Sequence, residues 1–323
     1  MNQKRTEPKP PPTDVVVWRY MCDWKLESLL STFDEHDLWS EESESNRTQI
    51  NVPGQLWFSL PRAFSDDREG TFPAINEDPG AYCDRMAAER GLSEKADRDH
   101  KERFLAADTE RIRDAVRVMA QLCGVTCWHE SEHESDRMWV EYPGEHDGVA
   151  VKTTIGQLEH ALTHVHNSPA RHSRPSVTAV GYVDFESFFL QEDGFYNLLC
   201  LKGPGFRHEN EIRIIAKSPW LLEVPLTLRT PFPNPNDWPA FMQLVKDQRA
   251  AAIGEAIEAC QTKLDNIQVE DRMGFNLPVA LDALITEIVV SPHSSAGYME
   301  SVGARVERVG LPSAIVRRSA LEV

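Results

Sequence analysis

The chain has 323 residues, of which 41% are hydrophobic, enough for a sizeable core and too many for a disordered protein. Its 51 acidic residues outweigh 34 lysines and arginines, so the formal net charge is −17. A field of that sign repels phosphate backbones and makes nucleic acid an unfavourable partner, since the sequence contains no dense basic patch.

The start of the chain predicts a mobile arm. Residues 1–13 combine basic residues and prolines with no apolar stretch behind them, which excludes a secretory signal. No apolar run approaches the length of a membrane span. Six cysteines are scattered without a C-x-x-C pair, which favours reduced thiols. We therefore expect a cytoplasmic protein without a membrane partner, with 1–13 disordered and 14–323 forming a single α+β domain.

The first half of the domain predicts alternating strands and helices. Residues 14–21 form a β-branched and aromatic run typical of a strand, and the leucine spacing that follows predicts a helix. Residues 54–61 predict a second strand, followed by a turn-rich loop long enough to be functional. An apolar stripe between charges predicts a long helix over 93–122.

The second half is richer in strands. Compact runs of β-branched and aromatic residues predict strands at 124–128, 147–153, 176–185, 210–218 and 285–292. An alanine-rich segment after Pro239 predicts a further helix. Because the order lacks a regular βαβ alternation, it favours an α+β fold. We expect a mixed, largely antiparallel sheet with flanking helices, and the long helix as an insertion.

His129, Glu130 and His133 spell H-E-x-x-H, the zinc-protease signature. That chemistry requires a helix, which projects both histidines onto one zinc ion. Here Gly124 breaks the preceding helical pattern, residues 125–128 predict a strand, and the following residues are polar on every side. We interpret the motif as a strand end running into an acidic surface loop, and we expect no metal site.

The segment around residue 211 displays charges in a row. On a strand, Glu209, Glu211 and Arg213 point to one face while isoleucines point to the other. Such a row is compatible with a solvated face of weak salt bridges. The turn that begins at Lys202 comes just before the strand, which makes this segment a plausible cleft wall.

Four stretches in order resemble the bacterial family called domain of unknown function 2971: WRYM…LESLL, LWFSLPRAFSDDREG, VTCWHESEHESDRMWVEYPGEHDGVAV and CLKGPGFRHENEIRIIA. The closing ITEIVVSP is similar to that family's tail, and the resemblance covers most of residues 15–295. Of the family's N-D-P-F-E block, only Asp66 and Glu69 carry over. The resemblance implies a prokaryotic protein with this fold outline, and it implies no settled activity.

A second resemblance suggests a reaction. Arg19, then Trp57 with Ser59, then the E-x-E of Glu209 and Glu211, occur in the order of the three motifs of arginine-serine-glutamate ADP-ribosyltransferases. The resemblance implies NAD as substrate, with a small molecule, a protein or water as acceptor.

Under this resemblance each residue has a role. Glu211 would stabilise positive charge on the ribose and Arg19 would hold the pyrophosphate. Ser59 would brace Glu211, and Glu209 would orient or deprotonate the acceptor. The hypothesis requires Arg19 and Glu211 on one cleft wall.

Two other functions stay open. The displayed charges could bind a partner in a non-catalytic interaction or ligand-sensing domain. Alternatively Asp66, Glu69 and Glu211 could assemble with Lys202 into a magnesium-dependent nuclease site, if the loop at 66–69 folds against the strand at 210–218. The net charge disfavours that second alternative.

Overall fold

The computed structural model of the protein describes residues 10–33, 54–64, 66, 68–78, 80–81, 85, 114, 116–144, 146–164, 175–190, 195–218, 255, 257–266 and 273–321. No helix within these ranges is both long and apolar enough to cross a lipid bilayer. The five cysteines in these ranges are free thiols, at positions 22, 123, 127, 200 and 260.

The strands of the described chain are β1 Val16–Cys22, β2 Gln55–Ser59, β3 Cys123–Glu130, β4 Gly148–Thr154, β5 Ser176–Ala179, β6 Gly181–Tyr182, β7 Leu201–Lys202, β8 Glu211–Lys217, β9 Gly274–Pro278, β10 Glu287–Val290 and β11 Val316–Arg318. The α-helices are α1 Asp23–Leu30, α2 Ala74–Glu77, α3 Asp136–Glu141, α4 Ile155–His164, α5 Phe195–Leu198, α6 Leu281–Leu284 and α7 Tyr298–Arg308. A 3₁₀ turn covers Pro204–Glu209.

Nine strands form one sheet in the order β11-β10-β4-β1-β3-β2-β9, with β8 on β3 and β5 on β8. Its pairs are antiparallel except for β10 with β11. The predicted α+β class with a mixed, largely antiparallel sheet and flanking helices is therefore confirmed.

Most predicted strands occur within a few residues of their expected bounds. The expected strand over 176–185 is interrupted, because it forms β5 and β6 in two different sheets. The sequence patterns missed β9 and α7. Most of the predicted 93–122 helix lies outside the described residues, and 116–121 is helical. Residues 1–9 of the expected arm also lie outside them.

The two faces of the sheet differ in what covers them. On the helical face, Val17, Val151 and Ile212 pack with apolar side chains of α1, α4 and α7 in the main core. The charged face carries Trp18, Tyr20, Cys127, His129, Glu211 and Arg213, as the register shows. There Trp18 and Tyr20 form a smaller core with Met138 and Trp139.

Strand β3 determines where the sheet divides. One of its edges pairs with β8 from Cys123 to His129. The other edge is shared, since β1 pairs with its end at Trp18 and His129, and β2 pairs with its start at Ser59 and Val125. Between these contacts, residues 126–128 have no partner on that edge among the described strands. We call this gap between β1 and β2 the split.

Candidate functional site

A cavity of about 190 Å³ lies at the split. Its lining includes Thr126, Cys127 and Trp128, the three residues of β3 without a strand partner on that edge. Pockets that bury a whole drug-sized ligand have volumes of roughly 300–1,000 Å³. The cavity is therefore too small to bury a whole drug-sized ligand.

Four of the residues selected from the sequence line this one cavity: Arg19, Ser59, Glu209 and Glu211. They come from four different elements: β1, β2, the 3₁₀ turn and β8. Their proximity therefore depends on the tertiary fold. Rigid strands hold Arg19, Ser59 and Glu211, which is the arrangement that keeps a site precise.

Trp57 lies beside this group. Its indole is 37% exposed, and its Nε1 donates to Ser59 Oγ at 3.0 Å. The expected brace from Ser59 to Glu211 is not among the described hydrogen bonds; the Ser59 hydroxyl accepts from Trp57. The aromatic-plus-serine strand thus forms the exposed edge of the cavity.

A buried ion-pair cluster stands behind Glu211. Arg213 donates to Glu211 (Nε to Oε1, 2.7 Å) and to Glu69 (2.6 Å), while Lys202 Nζ donates to Glu209 at 2.6 Å. Lys202 also lies 3.3 Å from a carboxylate oxygen of Glu69 and of Glu211. Glu69, Lys202 and Arg213 do not line the cavity, so they act on it through Glu209 and Glu211.

The row of charges is therefore not solvated. Glu211 is 5% exposed and Arg213 is 1% exposed, because the loop bearing Glu69 folds over the strand and Phe64 lies beneath the guanidinium at 5.5 Å. Of the two alternatives for this row, the solvated face does not agree with the structure. Breaking one partner of such a buried cluster strands the other charges, which costs about 3–5 kcal/mol.

The charges of the cluster do not cancel. Three carboxylates (Glu69, Glu209, Glu211) face two cations (Lys202, Arg213), which leaves one negative charge in excess. Burial alone would raise the pKa of Glu211, but Arg213 and Lys202 outweigh it and lower the pKa to about 2. Glu211 therefore stays ionised at neutral pH.

Glu209 has the opposite behaviour. Burial raises its pKa, Lys202 offsets the rise only in part, and the nearby Glu211 charge adds to it. Glu209 ends the 3₁₀ turn, and the next residue, Asn210, adopts a left-handed conformation with φ of 39°. The Asn210 side chain donates to Glu130 O at 2.7 Å and anchors that turn to β3.

Arg19 reaches the cavity from the other face. The register of β1 places it on the helical face with Val17, whereas Glu211 lies on the charged face. Arg19 and Glu211 thus lie on opposite faces of the sheet and do not share one wall, which counts against the ADP-ribosyltransferase hypothesis. The split allows Arg19 and Glu211 to line the same cavity from opposite faces.

Arg19 lacks an anionic partner among the described residues. Its guanidinium donates to Trp57 O at 3.4 Å and lies 5.9 Å from the ring centroid of Trp128. Burial lowers its pKa to about 10, so it remains charged at neutral pH. Lys25, a second cation without a described carboxylate partner, also lines the cavity. This end of the cavity can bind an anion.

Three lining residues were missed as site residues. Cys127, His129 and Tyr142 all face Glu209 or Glu211 in the cavity. Burial raises the pKa of Cys127 well above its usual value, so it is a neutral thiol, and it hydrogen-bonds to Glu211. Burial also raises the pKa of Tyr142, which remains a hydrogen-bond donor. Alternation along β3 could have selected Cys127 and His129 together with Val125.

Only some residues of the predicted nuclease site lie together in the structure. Glu69, Glu211 and Lys202 meet, but the Asp66 carboxylate accepts from the backbone of Arg68 at 2.9 Å inside its own turn. Among the described residues no group of three or more His, Cys, Asp or Glu side chains could hold a metal ion. Likewise the H-E-x-x-H segment is not helical, since β3 ends at Glu130 and His133 lies in the exposed loop beyond it.

No family model, no curated protein and no solved structure matches this chain. The resemblances to the domain of unknown function 2971 family and to ADP-ribosyltransferases therefore stay predictions from the sequence.

Proposed function

We propose that the protein cleaves the nicotinamide–ribose bond of NAD and passes ADP-ribose to water or to another acceptor. The observation that carries the proposal is that Arg19, Ser59, Glu209 and Glu211, chosen from the order of three sequence motifs, line a single cavity. The proposal thus rests on a shared cavity in place of the shared wall, which the sheet register does not provide. That cavity has a cationic end with Arg19 and an acidic end with Glu209 and Glu211. NAD has the complementary pattern, an anionic pyrophosphate next to a ribose that becomes positively charged.

The reaction needs two carboxylates with different protonation behaviour. When the bond from ribose C1′ to the pyridinium nitrogen breaks, both electrons leave with neutral nicotinamide and the ribose becomes an oxocarbenium ion. Glu211, ionised because its pKa is lowered to about 2, stabilises this cation. An acceptor oxygen then bonds to C1′ and gives its proton to Glu209, whose raised pKa suits a general base.

The remaining residues hold the substrate. Arg19 can donate two parallel hydrogen bonds to the pyrophosphate, and no described carboxylate competes for it. A cavity of about 190 Å³ is too small for the whole dinucleotide, so the proposal places the nicotinamide and its ribose inside and the adenosine half outside, past Trp57. An exposed indole at that place can stack on a planar base.

One observation favours a second function, a domain that binds a nucleotide without cleaving it. Both carboxylate oxygens of Glu211 are engaged, Oε1 by Arg213 and Oε2 by Arg213 and Lys202. A carboxylate held in this way can serve as a fixed structural charge. Under this alternative the protein binds ADP-ribose and NAD equally and releases no nicotinamide.

The test is nicotinamide release from NAD by the purified protein and by Glu211→Gln, with a chelator present throughout. Glutamine keeps the shape of the side chain and removes the negative charge that stabilises the oxocarbenium ion. We expect release to fall by roughly 100-fold or more, the magnitude typical of losing one preorganised electrostatic group.

Glu69→Gln is the matched control. It removes one carboxylate from the same buried cluster, yet Glu69 does not line the cavity. We expect Glu69→Gln to lower stability but to lower release much less than Glu211→Gln does, because Glu211 keeps its contacts with Arg213 and Lys202. An equal loss in both variants would identify the cluster as structural, and no release by folded wild-type protein would favour the binding domain.

A further inference from the structure

The proposed reaction does not use His129, although this residue lies beside Glu209 and Glu211 at the acidic end of the cavity. It is 9% exposed and lines the cavity. Its direct neighbours across the two edges of β3 are Trp18 and Glu211. Side chains that face each other across an antiparallel pair have Cβ atoms about 4.5–5.5 Å apart, so the imidazole and the Glu211 carboxylate are adjacent.

The hydrogen bonds of His129 define which ring nitrogen can bind a ligand. Nδ1 lies 2.5 Å from the carbonyl oxygen of Glu209. A carbonyl oxygen only accepts, so Nδ1 carries the hydrogen, and in the neutral ring Nε2 carries a lone pair. No described residue hydrogen-bonds to Nε2, and Tyr20 contacts the ring only edge-on, with centroids 6.2 Å apart.

Nε2 is not one of the fully buried atoms that lack a partner, so it is accessible from the cavity that His129 lines. Lys202 and Arg213 donate to carboxylates, and neither they nor Tyr142 hydrogen-bond to Nε2 in the part of the chain that the structure describes. A donor brought by the ligand would satisfy Nε2. The ligand donor nearest to the carbon that Glu211 faces is a hydroxyl group of the same sugar.

We propose that Nε2 of His129 accepts a hydrogen bond from a hydroxyl of the ribose whose C1′ bond is broken. This inference rests on the proposed function and adds a substrate contact to it. His129 thereby selects a ribosylated nucleotide over the same nucleotide without the second sugar. Its Nδ1–H bond to Glu209 keeps the ring oriented for that contact.

The first experiment compares the affinities of ADP-ribose and ADP for the wild type, His129→Asn and His133→Asn. Asparagine can keep a donor near the Nδ1 position and removes the Nε2 acceptor. We expect His129→Asn to weaken ADP-ribose binding by about tenfold, the usual range for one hydrogen bond, and to leave ADP binding unchanged. His133, exposed and outside the cavity, should alter neither affinity.

The outcomes separate this inference from the proposed function. Unchanged ADP-ribose affinity in His129→Asn, or equal weakening for both ligands, would overturn the ribose contact while leaving NAD cleavage intact. A wild-type protein that binds neither ligand and releases no nicotinamide would overturn both.

A second experiment needs no variant. Diethyl pyrocarbonate acylates unprotonated imidazole nitrogens, and peptide mass spectrometry can report His129 and His133 separately. We expect ADP-ribose to slow the acylation of His129 and to leave that of His133 unchanged. Equal rates at His129 with and without ADP-ribose would contradict the contact.

Discussion

Two glutamates separated by one residue have opposite pKa shifts. Both are buried, which would raise the pKa of each, so the difference comes from their partners. Glu211 forms ion pairs with Arg213 and Lys202, whereas Glu209 forms one with Lys202 alone. The left-handed Asn210 between them turns the chain so that this difference in surroundings arises over one residue. A single E-x-E segment thereby contains one carboxyl with a lowered pKa and one with a raised pKa.

The lowered pKa of Glu211 predicts a contribution to acid stability. A carboxyl whose pKa falls from 4.5 to about 2 on folding stabilises the folded state above pH 4.5, and that stabilisation is lost as the pH falls towards about 2. In Glu211→Gln the free energy of unfolding should therefore decline less steeply over that interval, by up to about 1.4 kcal/mol per pH unit. Urea unfolding between pH 5 and pH 2 measures both slopes, and identical slopes would contradict the assignment.

At the scale of elements, the split is stable because each strand beside it, β1 or β2, pairs with another strand on its far edge. Strand β1 pairs with β4 along its whole length, from Val16 to Cys22, and β2 pairs with β9 from Gln55 to Ser59. On β2 and β9, the rings of Phe58 and Phe275 stack at 5.6 Å. Each wall is thus a paired strand that does not depend on β3 for its hydrogen bonds.

Gly124 of β3 allows the wall formed by β2 and β9 to pack closely. A Cβ at this position would lie 2.5 Å from Phe275 Cε1 and 2.7 Å from Phe58 Cβ. We expect Gly124→Ala to lower the free energy of unfolding by about 1–3 kcal/mol, since overpacking a filled core costs that much. Gly205→Ala is the control, because a Cβ there meets nothing within 4 Å. Equal effects of the two variants in urea titrations would show that the close contact is unimportant.

Individual strands were predictable from the sequence because period-2 patterns are local. The alternation around Glu211 and the apolar run before Trp18 gave β8 and β1 within two residues. The split was not predictable, since it depends on which strands share an edge of β3. The contact of Glu69 with Arg213 joins residues 144 positions apart, so the burial of the charged row was also invisible to local patterns.

At the scale of the molecule, the first and last helices are joined. Tyr298 Oη of α7 donates to Asp23 Oδ1 at the start of α1 at 2.6 Å, and Arg305 donates to the same oxygen at 2.6 Å. Burial would raise the pKa of Asp23, and these two donors lower it overall. The same two helices contribute apolar residues to the main core, so the contact lies at the edge of a packed interface.

Tyr298→Phe should test how much this contact contributes. It removes one hydroxyl and keeps the ring, which is 7% exposed. We expect the free energy of unfolding to fall by about 1 kcal/mol at pH 7, with an unchanged dependence on urea concentration. Ser301→Ala, at an exposed position of the same helix, should leave stability unchanged. If Tyr298→Phe had the same free energy of unfolding as the wild type, the two helices would be held together by apolar packing and not by this hydrogen bond.

The split also determines where the chain can accept insertions or deletions. Ser59, Cys127 and Glu211 lie far apart in sequence, and pairing partners rather than connections fix their positions. Doubling the length of a flexible connection costs only about 0.6 kcal/mol in closure entropy. Shifting one strand by a single residue would instead turn every side chain to the opposite face. Long insertions between the strands are therefore compatible with an intact cavity, whereas deleting one residue within β3 would dismantle it.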